Sequence, residues 1–102
     1  MTENPIILSV VDQVLEHCNP HKIVLFNKKH DLFDNLTSFK LCVVVPDDTD
    51  TNDLECELYL ELECENPFDV LLYKESEWHD LIDDETSFAG KIKKTGVALY
   101  EV

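Results

Sequence analysis

The chain has 102 residues, enough for one domain with one modest hydrophobic core. Hydrophobic residues make up 44 %, and no apolar run approaches the roughly 20 residues that span a bilayer. The formal net charge is −14, from 22 acidic and 8 basic residues, and every basic residue is a lysine. This excludes the usual nucleic-acid binder, because phosphate contacts rest on displaced counterions and bidentate base contacts rest largely on arginine. A basic protein partner fits such a surface better, since opposite potentials speed encounter.

Met1 to Pro5 carry no basic residue, and the apolar stretch that follows is interrupted by Ser9 and Asp12. A secretory leader has a different pattern. A soluble cytoplasmic protein with no membrane partner is expected. Ile6, Ile7, Val10, Val11, Val14, Leu15 and Cys18 recur at three- and four-residue spacing, which predicts an amphipathic helix over 5–18. Pro20 ends it by disfavouring helical geometry at Asn19. Ile23 to Phe26 reads as a buried strand. Residues 27–38 are polar and are expected to form a loop with at most one turn. Phe39 to Val45 predicts a second strand, stopped by Pro46.

Residues 52–65 send two signals. Leu54, Cys56, Leu58, Leu60, Leu62 and Cys64 alternate with mostly acidic residues, which is a strand period. Glu and Leu are good helix formers, however, and Asn52 with Glu55 suits a capping box. Further on, Phe68 to Tyr73 predicts a strand. Ser76 is the expected cap of a helix through Ile82, and Ser87 of a helix over 88–95. Gly96 is expected at the left-handed position after that helix, followed by a strand over Val97 to Tyr100.

Four cysteines, Cys18, Cys42, Cys56 and Cys64, include no C-x-x-C pair. They read as reduced, structural thiols in a reducing compartment. Asp47, Asp48, Asp50 and Asp53 lack the glycine and glutamate that a calcium loop needs, so a solvated, helix-capping loop is expected. His17, Cys18 and His21 are close in sequence, but Pro20 separates them. Lys28, Lys29 and His30 form the basic patch of the first half and read as a solvated loop. Trp78 reads as core.

Two stretches carry a family resemblance. The first is KIVLF from Lys22 to Phe26, a polar loop, then LCVVV from Leu41 to Val45. The second is PFDVLLY from Pro67 to Tyr73, with SFAGKIKKTGVALYE from Ser87 to Glu101. Together they resemble the minimal nucleotidyltransferases of the DNA polymerase β superfamily. In that family the first strand ends in Leu-Phe-Gly-Ser, the second begins Ser-Asp-x-Asp-Leu, and the closing helix ends in Glu-Gly-x-x-Leu-Tyr-Glu. The resemblance implies an α/β fold, a small mixed sheet flanked by helices in a single domain over 1–102, and a helix at 52–65.

The family's chemistry is two-metal, in-line nucleotidyl transfer. Two Asp on one strand and a third on its neighbour hold the cations. By the resemblance, Asn27 and Lys28 stand where the Gly-Ser turn is expected, although the 27–38 stretch is about one residue short. Ser38 and Lys40 stand where the paired Asp are expected, and only Asp69 matches the third. A lysine puts positive charge where cations must bind. The expectation is therefore a degenerate domain with no catalytic residues, metal or cofactor, in which Lys40 pairs with Asp69. Such a domain would act as a protein-binding module. The resemblance implies, as partner, a helical HEPN-type protein of a toxin–antitoxin pair. The alternatives are a divergent metal-dependent nucleotidyltransferase using Asp69 with Asp31 or Asp34, and a structural homo-oligomerising domain.

Overall fold

The computed structural model describes residues 4–102. What the sequence implies for Met1 to Glu3 lies outside them. Helix α1, Pro5–His17, starts where the Asn4 side chain accepts a hydrogen bond from the Ile6 N–H at 2.8 Å, with Pro5 at the first helical position. Its stripe of Ile7, Val10, Val11 and Val14 is buried. Each such side chain contributes about 1.5–3 kcal/mol relative to exposure.

Strands β1, Lys22–His30, and β2, Leu36–Val45, pair antiparallel. The expected loop over 27–38 is therefore mostly a two-stranded ribbon with a turn at 31–35. Register runs regularly from Lys22 opposite Val44 to Phe26 opposite Lys40. It then passes a bulge at Asn27 and Lys28 and resumes with Lys29 opposite Ser38. The polar composition concealed the strands because, apart from Leu36, which is buried in the core, this ribbon is largely solvated and rests mainly on backbone pairing. At the turn, the Asp31 carboxylate accepts from the N–H groups of Phe33 at 2.8 Å and Asn35 at 3.0 Å. Asp34 sits at φ 63°, a conformation that Asp and Asn tolerate better than most residues.

Residues 51–61 form helix α2, Thr51–Glu61, so the strand period here was misleading. Leu54 and Leu58, four apart, are its buried residues, and Leu60 is exposed. Asp50, not Asn52, is the cap, accepting from the Asp53 N–H at 3.1 Å. Gln13 ties α1 to the exit of α2, donating to the Glu63 carbonyl and accepting from its N–H, both at 2.8 Å.

Strand β3, Phe68–Lys74, lies parallel to β2. It leads into α3, Glu75–Ile82, where the Glu77 carboxylate accepts from the Lys74 N–H at 3.1 Å. Ser76 is not the cap, because α3 begins one residue earlier, at Glu75; Ser76 lies within its first turn, where its N–H donates to Asp47 at 2.9 Å. Helix α4, Phe88–Thr95, is capped by Ser87, which accepts from the Gly90 N–H at 2.9 Å. Gly96 is extended, at φ −81°, ψ 169°, and not left-handed. The chain passes directly into β4, Val97–Glu101, and a Cβ at Gly96 would meet Val24 Cγ1 at 2.5 Å, so close approach explains the glycine.

The sheet order is β3-β2-β1-β4, with β4 antiparallel to β1. Strand side chains alternate between its two faces. Ile23, Leu25, Leu41, Val43 and Val45 pack under α1 and α2. Val24, Cys42 and Val44 pack against Trp78, Ala89 and Ile92 of α3 and α4. This is a small mixed sheet flanked by helices on both faces. Among the described residues, no helix is long and apolar enough to cross a membrane.

Candidate functional site

The five positions singled out in the sequence come together at one end of the sheet. Ser38 and Lys40 are two apart on β2 and share a face with Cys42 and Val44, continuing that row toward the turn. Lys40 is level with Phe26 on β1 and with Asp69 on β3. Asn27 and Lys28 occupy the bulge just beyond Phe26. Asn27 has φ 56°, in the left-handed region that a non-glycine residue rarely adopts and asparagine tolerates best. A position that a glycine would fill without strain is thus filled by the side chain most able to replace it.

The Lys40 ammonium lies 4.0 Å from the Asp69 carboxylate. Both side chains are largely solvated, at 43 % and 78 % exposure, so the pair contributes less than about 1 kcal/mol to stability. Its consequence is local: a fixed cation stands beside the one carboxylate that these strands supply here. Phe26 roofs the neighbouring surface, packing edge-on against Phe88 at the start of α4 with ring centroids 5.7 Å apart.

Asp31 and Asp34 are not part of this corner. They sit in the turn at the far end of the β1–β2 ribbon. Hydrogen bonds from the backbone N–H groups of Asn35 and Phe33 hold the Asp31 carboxyl below its ordinary range, so its oxygens are engaged in the turn itself. Among the described residues, no group of three or more His, Cys, Asp and Glu side chains converges to hold a metal ion.

The other candidates have structural employment. His17 pairs with Glu57 of α2 at 2.9 Å, whereas His21 pairs with Glu75 of α3. The Cys18 thiol lies 3.5 Å from the Val14 carbonyl, to which it donates. Asp47 and Asp50 anchor helix starts, as a capping loop should. All four cysteines are free thiols, and burial pushes Cys42 up to about 12. Trp78 is buried beside Tyr73.

Two features escaped the sequence. One is an apolar groove of about 570 Å³ between α2 and β3, lined by Tyr59, Leu62, Phe68 and Leu72, with Glu55 and Asp69 also on its wall. The other is the exposure of Leu32 and Phe33 at the ribbon's tip, 99 % and 85 %. An apolar pair inside an otherwise polar stretch was the available signal for the tip. The groove had none, because it forms only when α2 packs beside an edge strand. No protein-family model, curated protein or solved structure matches this chain.

Proposed function

We propose that this chain is a degenerate nucleotidyltransferase-like domain, a cytoplasmic pseudoenzyme that works by binding a protein. The observation that carries the reading is Lys40, level with Asp69 and 4.0 Å from it, at the place where the resemblance expects a metal-binding carboxylate. A two-metal mechanism needs carboxylates to gather cations and stabilise the attacking and leaving oxygens. Here Ser38 brings no charge and Lys40 brings the opposite one. The left-handed Asn27 supports the same alignment, since it stands where the family's turn has glycine.

Partner choice follows from charge. A surface at −14 attracts a basic protein, and the resemblance suggests a helical HEPN-type protein whose activity this chain restrains. Isothermal titration with ATP and the other NTPs, with and without Mg²⁺, tests the reading. No Mg²⁺-dependent binding is expected. Micromolar, Mg²⁺-dependent binding would put the enzyme reading first, as would nucleotidylation of a partner that is abolished by Asp69→Asn.

A further inference from the structure

Strand β3 ends the sheet. Its inner side pairs with β2 in unbroken register from Phe68 to Lys74, and among the described residues no strand lies on its outer side. The usual devices that blunt an exposed edge are missing between Phe68 and Tyr73, which hold no lysine, no proline and no bulge. Asp69 is the one charged residue there. Such an edge presents a row of backbone donors and acceptors to an extended chain.

Coverage of the core points to the same strip. Phe39, Leu41 and Val43 of β2 are buried, whereas Phe68, Val70 and Leu72, level with them on β3, are half-buried. The groove of about 570 Å³ lies over these three, between β3 and α2. Its helix-side wall is Glu55, Cys56, Tyr59 and Leu62, a second stripe at three- and four-residue spacing beside the buried Leu54 and Leu58. A strand laid along β3 projects every second side chain toward this groove, because strand side chains alternate between faces. Charge then selects the occupant. Residues 41–73, which build both walls, hold ten Asp and Glu and no lysine, arginine or histidine. Lys40 offsets Asp69 on the strand side, but among the described residues no cation pairs with Glu55 on the helix side. A second copy of this acidic chain brings carboxylates to carboxylates, whereas a basic segment brings the missing cation.

We infer that the β3 edge and the α2–β3 groove bind an extended, basic segment of a partner protein, with apolar residues at alternate positions. The segment adds a fifth strand beside β3, and main-chain hydrogen bonds along the edge hold it. Its groove-facing row combines apolar side chains with a Lys or Arg, whose stem lies on Tyr59 and whose charged end meets Glu55. Resting on the protein-binding reading above, this surface is where the basic partner docks.

Selection of random linear peptides from a display library against the full chain tests this, followed by titration of the recovered peptides. The enriched sequences are expected to place apolar residues at every second position and to carry Lys or Arg. Amide exchange on the complex should show new protection in Phe68 to Tyr73 and none in β4, the other edge of the sheet. Tyr59→Lys and Glu55→Lys, both at exposed positions, should each raise the dissociation constant about tenfold or more, with melting and circular dichroism unchanged. Glu16→Lys makes the same charge change on exposed α1, away from the groove, and should alter affinity little. Failure to enrich any peptide would overturn the inference. So would enriched peptides with helical spacing or without basic residues, protection at β4, binding indifferent to both groove substitutions, or a wild type that dimerises through β3. The two readings fail separately. Mg²⁺-dependent NTP binding would overturn the pseudoenzyme reading whatever the peptides do, and failure of the peptides overturns this surface whatever the nucleotides do.

Discussion

Cys42 shows how a single side chain can be read down to its titration. It sits on β2 between Lys40 and Val44, fully buried under α3 and α4, among Val24, Trp78 and Ile92. Desolvation penalises its thiolate and moves the thiol from its ordinary 9.0 to about 12, despite the opposing field of Lys22. A proton held more tightly in the folded state stabilises that state. The contribution is complete below pH 9, and it declines as pH rises from 9 towards 12, where the unfolded thiolate is favoured. Denaturation midpoints measured across that range should therefore fall. Cys42→Val keeps the shape and removes the thiol, so its midpoint should fall less steeply. Thiol reagents at neutral pH should modify exposed Cys56 quickly and Cys42 only on unfolding.

At the scale of elements, the turn between α3 and α4 is tied together through one side chain. The Ser87 hydroxyl donates toward the Leu81 and Asp84 carbonyls, at 2.6 and 2.7 Å, and accepts from the Gly90 N–H. A Cβ on Gly90 would lie 2.2 Å from the Asp84 carbonyl oxygen, which is backbone and cannot swing away. Alanine is the better helix former by up to about 1 kcal/mol. The overlap outweighs that gain, because forced overpacking costs about 1–3 kcal/mol. Gly90→Ala should therefore lower the urea midpoint with little change in slope. The Ser87 cap was legible in the sequence, as were α1, β3 and the central strands, because apolar spacing and capping chemistry are local. One element needed the resemblance, and two features were not legible. The α2 alternation mimicked a strand, since exposed Leu60 and half-buried Leu62 mixed with the buried pair Leu54 and Leu58. Polar residues 27–38 hid a ribbon anchored by its backbone pairing and by a single buried side chain, Leu36. Ser76 is not a cap because α3 starts one residue earlier, its first turn anchored by Asp47, 29 residues away, which accepts the Ser76 N–H. At the site, the Ser38, Lys40 and Asp69 positions and the pairing of Lys40 with Asp69 followed from the resemblance, and the parallel register that brings the pair to 4.0 Å came from the structure.

Over the whole molecule, a charge of −14 works against the compact state through self-repulsion. Added salt should raise the melting temperature at neutral pH, since screening relieves that repulsion more than it weakens the few exposed ion pairs. Acid has two opposed effects. Protonating surface carboxylates below neutrality reduces the net charge and favours the fold. Three carboxylates oppose that gain at lower pH. Asp47 is held below its ordinary range chiefly by the Ser76 N–H, Asp84 by the Thr86 hydroxyl and N–H, and Asp31 by the turn amides. A depressed carboxyl contributes stability that is present above its unfolded value, near 3.8, and is lost as pH falls through the folded one. The expected profile holds or rises from neutrality toward pH 5 and drops below about 4. Asp47→Asn separates the two effects. It keeps an acceptor for Ser76 but removes the charge that the Ser76 N–H and nearby Lys74 favour. Wild type should exceed the variant in stability at neutral pH, and the gap should close once Asp47 itself is protonated. A gap of constant size down to pH 2 would mean that charge at Asp47 contributes nothing to the α3 anchor.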